Sequence, residues 1–435
     1  MTETIAYIAG ILFMLLGVAV SIAWHELGHL LPAKKFGARV PKYMVGFGPT
    51  LFSRKKGETE YGIKAIPLGG YISISGMFPP EKGKPKTSWL SKWVSDARAH
   101  QREVDGEFDE SRSFYRLSIP KRITIMLGGP VMNLILGFVL IIVALSAIGA
   151  PQTSTQLAAI SDCIPASATA TECKPGDVES PAKISGILAG DRIIAVNGQV
   201  ISEWSQVDAI LKNSAGIPLE IKLDRNGEIL TTEVLPVVAE RAVYDPETGQ
   251  PKKAADGTLV TAPKVMIGVQ LGTELKPVPL DKAVSYSGVV LGETFKLVVA
   301  LPAKLVEVAG SLTGSQRNVD TPVSLIGVGQ IAGEVASSDA TFASKMASQL
   351  LMLGSLNFAL FVFNLIPLLP LDGGHVLSAI YEAIKRAGFK LAKKKDPGPV
   401  DTAKMVPFTM AMWIVLMGMS VLIIAADLIN PIQLG

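Results

Sequence analysis

The sequence predicts a polytopic α-helical membrane protein with four transmembrane helices and one β-rich domain inserted between the second and third. Three observations lead there. Four apolar stretches are long enough to cross a bilayer, which takes about 20 residues. Charge is segregated among the segments joining them. Short strand and turn signals are concentrated in one of those segments. Composition agrees: of 435 residues, 49% are hydrophobic and only 18% charged, below the usual quarter. A net charge of +3 offers no basic surplus and suggests no nucleic-acid role.

The first apolar stretch runs from about Ile5 to Leu31, the second from Ile123 to Ile148, the third from Ala347 to Leu371 and the fourth from Val406 to Ile429. The first follows an acidic Glu3 rather than a basic n-region and is too long for an h-region, so it reads as a span and not as a cleavable signal peptide. A fifth candidate, Val284 to Val308, is interrupted by Glu293, Lys296, Pro302, Lys304 and Glu307 and reads as amphipathic and interfacial. The segment Pro32–Arg122 carries about twice as many Lys and Arg as Asp and Glu, and Tyr381–Lys404 is also basic, whereas Pro151–Val284 is net acidic. Basic loops stay inside, so both termini and the acidic segment are expected outside.

That acidic segment holds a turn, strand and Asn197-Gly198 hairpin signal within Ile184–Gly198, a helix at about Glu203–Lys212, and strands at about Pro218–Leu223 and Thr231–Val237 around Arg225-Asn-Gly227. Tyr244–Ala262 reads as a polar loop. Cys163 and Cys173, ten apart with no CxxC spacing, read as a local disulfide, which fits an extracytoplasmic location; two unpaired thiols are the alternative. On the inner side, Tyr61–Met77 reads as a β stretch with a turn at Pro67-Leu-Gly69-Gly70, by itself an ordinary hairpin.

The chemistry concentrates in His25-Glu26-Leu-Gly-His29. Residues four apart share one helix face, so both imidazoles can bind one zinc, and Glu26 beside them can take a proton from a zinc-activated water. Ionisable residues inside an apolar helix are costly, and three within little more than one turn have no cheap structural explanation. A catalytic zinc needs a third protein ligand and an open position. Asp372, after Asn364-Leu-Ile-Pro367-Leu-Leu-Pro370-Leu, borders the inner end of the third span, as His25 and His29 border that of the first. His375, three residues on, is the rival ligand or a neighbour of the ligands. Asp427, near the outer end of the fourth span, does not fit, and His100 reads as solvated in a charged loop. Pro367 and Pro370 should break the third helix beside the site and admit water. Asn364 could bond substrate or an oxyanion, or equally glue helices together. Gly128-Gly129-Pro130-Val-Met-Asn133 reads as close packing in the second span.

Taken together, these pieces resemble the site-2 protease family of intramembrane zinc metalloproteases. The matching elements are His25-Glu26-x-x-His29, the Tyr61–Gly76 stretch, Gly129-Pro130-x-x-Asn133 and Asn364-x-x-Pro367-x-x-Pro370-x-Asp372-Gly373, in family order. The Gly190-Asp191-Arg-Ile-x-x-Val-Asn197-Gly198 segment resembles a bacterial PDZ domain. The resemblance implies four units: 1–150 with the first two spans, HExxH and a membrane-reentrant β-loop; 151–275, an extracytoplasmic PDZ domain; 276–345, interfacial helices; and 346–435, the last two spans with the aspartate ligand. It implies one Zn2+ per chain on His25, His29 and Asp372, with Glu26 catalytic and Asn364, Gly69, Gly70 and Tyr71 binding substrate. It further implies a bacterial cytoplasmic-membrane protease that cleaves single-span membrane proteins, such as pre-trimmed anti-sigma factors or signal-peptide remnants, within the bilayer. A metal sensor or transporter would need polar residues along the spans, and few exist beyond this site.

Overall fold

The computed structural model describes residues 3–81, 89–170, 172–244, 251–252, 254, 258–312, 317 and 321–431. The chain divides into two compact units, Ala150–Lys276 and the remainder.

In the larger unit, helix α1 (Glu3–Lys35) is followed by strands β1 (Lys42–Lys56) and β2 (Thr59–Ser73), helix α2 (Trp89–Asp105) and helix α3 (Ile119–Ile142), which continues as a π-helical turn to Ile148. Among the described residues, α1, α3 with its π-turn, α8 (Phe342–Asn364) and α10 (Val406–Ile429) with the short turn before it are long and apolar enough to cross a membrane. Lipid tails are as apolar as leucine, so small residues and polar bonds must join such helices. They do here. Gly17 of α1 lies against Leu353 of α8, and Asn357 Nδ2 donates to Ser21 Oγ at 2.9 Å, so α1 and α8 run parallel. Gly137 of α3 meets Phe358 while Ile141 meets Gly354, so α3 runs antiparallel to α8.

The third apolar stretch starts earlier than its hydropathy suggests and its helix stops at Asn364. The segment 365–371, with Pro367 and Pro370, is not helical, and Asp372 opens a separate helix, α9 (Asp372–Leu391). Before α8 lie α6 (Leu280–Ser311), one unbroken helix, and α7 (Leu325–Ser337). Val278 N, just ahead of α6, donates to Leu145 O at the end of α3, while Ser311 O at its other end accepts from Asn430, just past α10. His100 is exposed on α2, a helix where a loop was expected.

The chain reverses at Gly57, and β2 then doubles back: Glu60–Ile63 run in the same direction as Lys42–Val45 and Gly70–Ser73 in the opposite one, so the direction changes between Ile63 and Gly70, the stretch that holds the expected Pro67–Gly70 turn. Lys42–Val45 pair with Gly70–Ser73 on one side and face Glu60–Ile63 on the other, while Phe52–Lys56 pair with Thr59–Ile63. Among the described residues, no strand covers the far side of Gly70–Ser73, which is therefore a free edge.

The second unit contains β3 (Ala150–Ile160), β4 (Cys163–Ile164), β5 (Val178–Glu179), α4 (Pro181–Ile184), β6 (Arg192–Val196), β7 (Gln199–Val200), α5 (Trp204–Lys212), β8 (Leu219–Arg225), β9 (Glu228–Val234), β10 (Val237–Ala242), β11 (Thr261–Met266) and β12 (Val269–Lys276). The main sheet has the order β12–β3–β6–β8–β9 with β7 against β6. Alternating residues Leu219, Ile221 and Leu223 of β8 point into its core, which Val207 and Leu211 of α5 close. The hairpin β8–β9 turns at Asn226-Gly227, both with positive φ, as the Asn-Gly signal requires. Cys163 and Cys173 are joined by a disulfide. Of the loop read at Tyr244–Ala262, residues 245–250, 253 and 255–257 lie outside the described residues, and Tyr244 bridges to Pro251.

Asp191 is buried, accepts the Leu188 N–H at 2.9 Å and takes both Nε and Nη2 of Arg225 at 2.7 Å. Arg225 holds the Asp191 carboxyl below the usual carboxylate range. A carboxyl whose folded pKa is depressed stabilises above its unfolded value, about 3.9, and loses that contribution as pH falls through the folded value. Asp191→Asn should therefore destabilise this unit by about 2 kcal/mol at pH 7, less than a fully buried pair because Arg225 remains partly hydrated. Hydrogen exchange of the β6 and β8 amides should show the difference between variant and wild type shrinking below about pH 4.

Candidate metal centre

The HELGH turn of α1 is held from two sides. Trp24 Nε1 donates to Met132 O of α3 at 3.0 Å, and Tyr43 OH of β1 donates to Ala23 O at 2.7 Å. Beneath it, Leu30, Ala33, Val40, Ile74, Phe114, Ile125 and Met126 form a buried cluster joining α1, the β-hairpin and α3. Only glycines permit this packing. A Cβ on Gly28 would overlap the Gly128 carbonyl, one on Gly128 would overlap Gly28 O, and one on Gly129 would overlap Nε2 of both histidines. The glycines read from sequence as packing residues thus also line the histidines.

The carboxylate arrives from the other side. The chain leaving α8 folds tightly against the first turn of α9: a Cβ on Gly373 would strike Leu365 O and Ile366 O, and one on Gly374 the backbone of Leu368 and Leu369. This sets Asp372 facing α1. Asp372 Oδ2 lies 3.2 Å from His25 Nε2 and 3.4 Å from His29 Nε2, and the two Nε2 atoms are 3.2 Å apart. His29 Nδ1 is 2.7 Å from Ile125 O, and since a carbonyl only accepts, Nδ1 carries the proton and Nε2 presents its lone pair. Asp372 Oδ2 and His25 Nδ1 are buried without a hydrogen-bond partner.

Three lone-pair atoms this close repel one another unless a cation sits among them. Ligands about 2.0–2.1 Å from a tetrahedral zinc stand about 3.3 Å apart, which the observed triangle matches. The donor set, two imidazoles and one carboxylate, is one that zinc accepts, and it leaves a fourth position open.

His25, Glu26, His29 and Asp372 line a cavity of about 330 Å3 together with Gly70, Tyr71, Ile72, Ile74, Met77, Met126, Asn364, Pro370 and His375. Gly70 backs onto Glu26, whose Cγ would be 3.4 Å from a Cβ there. Asn364, at the last turn of α8, donates Nδ2 to Leu360 O at 2.9 Å. Of the residues singled out from sequence, His25, Glu26, His29, Asp372, Asn364, Gly70 and Tyr71 meet here. Gly69 is not among the lining residues; its φ is +122° and a Cβ on it would overlap the Phe47 ring. His375 lines the cavity but lies outside the three-atom cluster. Cys163 and Cys173 belong to the other unit. Sequence reasoning missed Met77, Met126 and the Ile125 carbonyl, because no spacing pattern marks an apolar lining residue or a backbone acceptor.

The chain matches the family described as Peptidase family M50 over residues 13–396. It is 31% identical to Zinc metalloprotease Rip1 of Mycobacterium tuberculosis, with 98% of this chain and 99% of the relative covered. Zinc metalloprotease Rip1 of Mycolicibacterium smegmatis is 30% identical, covering 98% of each. Metalloprotease MmpA of Caulobacter vibrioides is 25% identical, covering 88% of each.

Gly129→Ala should lose most of its bound zinc, because the added methyl must displace the two imidazoles. Gly288→Ala, where a Cβ meets nothing within 4 Å, should retain it. Metal analysis of the purified, folded proteins distinguishes the two.

Proposed function

Because the chain belongs to peptidase family M50 and is a zinc metalloprotease, we propose that it hydrolyses peptide bonds within transmembrane segments of other membrane proteins, at the cavity between α1, α3, β2 and α9. The observation that carries this reading is the convergence of His25, His29 and Asp372 on one point beside a free strand edge.

In this reading His25, His29 and Asp372 are the ligands of one zinc ion. Zinc bound there acidifies water and polarises a carbonyl, lowering the water pKa towards about 7. Glu26 takes the proton of the attacking water and delivers it to the leaving amine nitrogen. Asn364 and the edge at Gly70 and Tyr71 hold the substrate. A transmembrane helix hides its amides in backbone hydrogen bonds, so it must unwind first, and the free edge of Gly70–Ser73 can replace those bonds.

The chain is read as a multi-pass protein of the bacterial cytoplasmic membrane, with both termini outside and the catalytic cavity towards the cytosol. Residues 1–150 and 346–435 carry the four spans. Residues 276–345 lie at the interface; supporting this, α6 starts at the end of α3 and finishes at the end of α10, ends that a positive-inside orientation sets on the same outer side. Residues 151–275 form an extracytoplasmic PDZ domain that recognises a substrate terminus or limits substrate size, consistent with its sheet, closing helix and disulfide. Single-span proteins already trimmed outside, such as anti-sigma factors or signal-peptide remnants, fit a site this far from the outer surface.

Glu26→Gln in purified protein should keep about one zinc per chain and lower cleavage of a reconstituted single-span substrate by at least about 100-fold. Asp372→Ala should lose the metal as well. Undiminished cleavage by Glu26→Gln would overturn the assignment.

A further inference from the structure

The first turns of α3 touch both halves of the metal centre. Ile125 O bonds His29 Nδ1 at 2.7 Å, which orients the half on α1. Three residues earlier, and so on the same side of α3, Arg122 donates to both oxygens of Glu382: Nη1 to Oε2 at 3.1 Å and Nη2 to Oε1 at 2.6 Å. Glu382 stands on α9, ten residues after Asp372. Ten residues rise about 15 Å and turn to within about 80° of three full turns, so the two carboxylates share one broad side of α9. His375 and Ala379, between them, line the narrow gap that Arg122 and Glu382 also line.

The pair is built for geometry. Glu382 is 1% exposed and Arg122 7%. The same carboxylate also takes Arg386 Nη2 at 2.9 Å and the Val400 N–H at 3.0 Å, so its lone pairs are saturated by four donors. Two parallel N–H bonds from a planar guanidinium fix rotation as well as distance, which a point charge does not. Apolar side chains can slide over one another, so the fork constrains how α9 is turned against α3 in a way that they do not.

We infer that Arg122 and Glu382 are positioning residues for the metal centre: their fork sets the rotation and height of α9 so that Asp372 Oδ2 meets the two imidazoles that α3 orients through Ile125. Neither touches the metal or the substrate. This rests on the zinc-binding reading above and adds to it a device outside the ligand motifs.

The test measures zinc affinity by chelator competition and the visible absorption of the cobalt-substituted protein, in detergent-purified full-length chains. Glu382→Gln keeps the side-chain volume and removes the charge. It should weaken zinc binding by about tenfold to a hundredfold, the range seen when the groups orienting a ligand are altered, and reduce the intensity of the tetrahedral cobalt bands. Arg386→Gln touches the same carboxylate from a partly exposed side and should give a smaller loss in the same direction; it decides the matter if Glu382→Gln does not fold. Asp427→Asn serves as control. It breaks another buried pair, Arg317 Nη1 to Asp427 Oδ1 at 2.6 Å, and should lower thermal stability while leaving zinc affinity unchanged. Unaltered affinity and spectrum in Glu382→Gln, or in Arg386→Gln where that variant must decide, overturns the inference, as does an equal loss of affinity in Asp427→Asn. A wild-type chain that binds no zinc would instead sink the metalloprotease reading itself.

Discussion

Two helix backbones touch where Gly28 of α1 meets Gly128 of α3, and the rest of the centre follows from that contact. Any side chain at either position would drive the helices apart. With the contact made, Ile125 O comes within hydrogen-bond distance of His29, Met132 O receives Trp24, and Gly129 leaves room for both imidazoles. Lipid offers no hydrophobic drive to pull helices together, so close approach, dispersion and a few polar bonds must supply the association. A metal centre in such a setting therefore depends on residues with no chemistry of their own.

The second constraint is the interruption between α8 and α9. One continuous helix through 364–372 would carry its side chains around the axis at 100° per residue and saturate every backbone amide. Breaking it lets the chain fold back, so that Asn364 at the end of one helix and Asp372 at the start of the next line one cavity instead of standing about 12 Å apart along one axis. The free edge of β2 lies across that same cavity. The His25–His29–Asp372 cluster, Glu26 and the strand edge are thus brought together by three separate elements, α1, α9 and β2, none of which holds more than two of the three clustered side chains.

Much of this was legible in the sequence. The four long apolar helices, the HExxH face and the break at Pro367 and Pro370 follow from hydropathy, helical period and the missing proline N–H. The pairing of β2 was only partly legible: Pro-Leu-Gly-Gly marks the stretch where the chain changes direction, but the reversal at Gly57 and the change of partner within one strand are decided by tertiary contacts. The Arg122–Glu382 fork was invisible too: residues 260 positions apart carry no mutual spacing signal. His375 and Asp372 could not be separated by periodicity, since both face one side of α9; only the three-dimensional position of the carboxylate oxygen distinguishes them.

The donors are also split along the chain in time. His25 and His29 are made among the first residues, whereas Asp372 is translated only after β1 to β12 and α2 to α8. A ribosome-bound product ending before α9 holds two imidazoles and no carboxylate to complete the set. The three-atom cluster can therefore close only once α9 has been made and folded against α1.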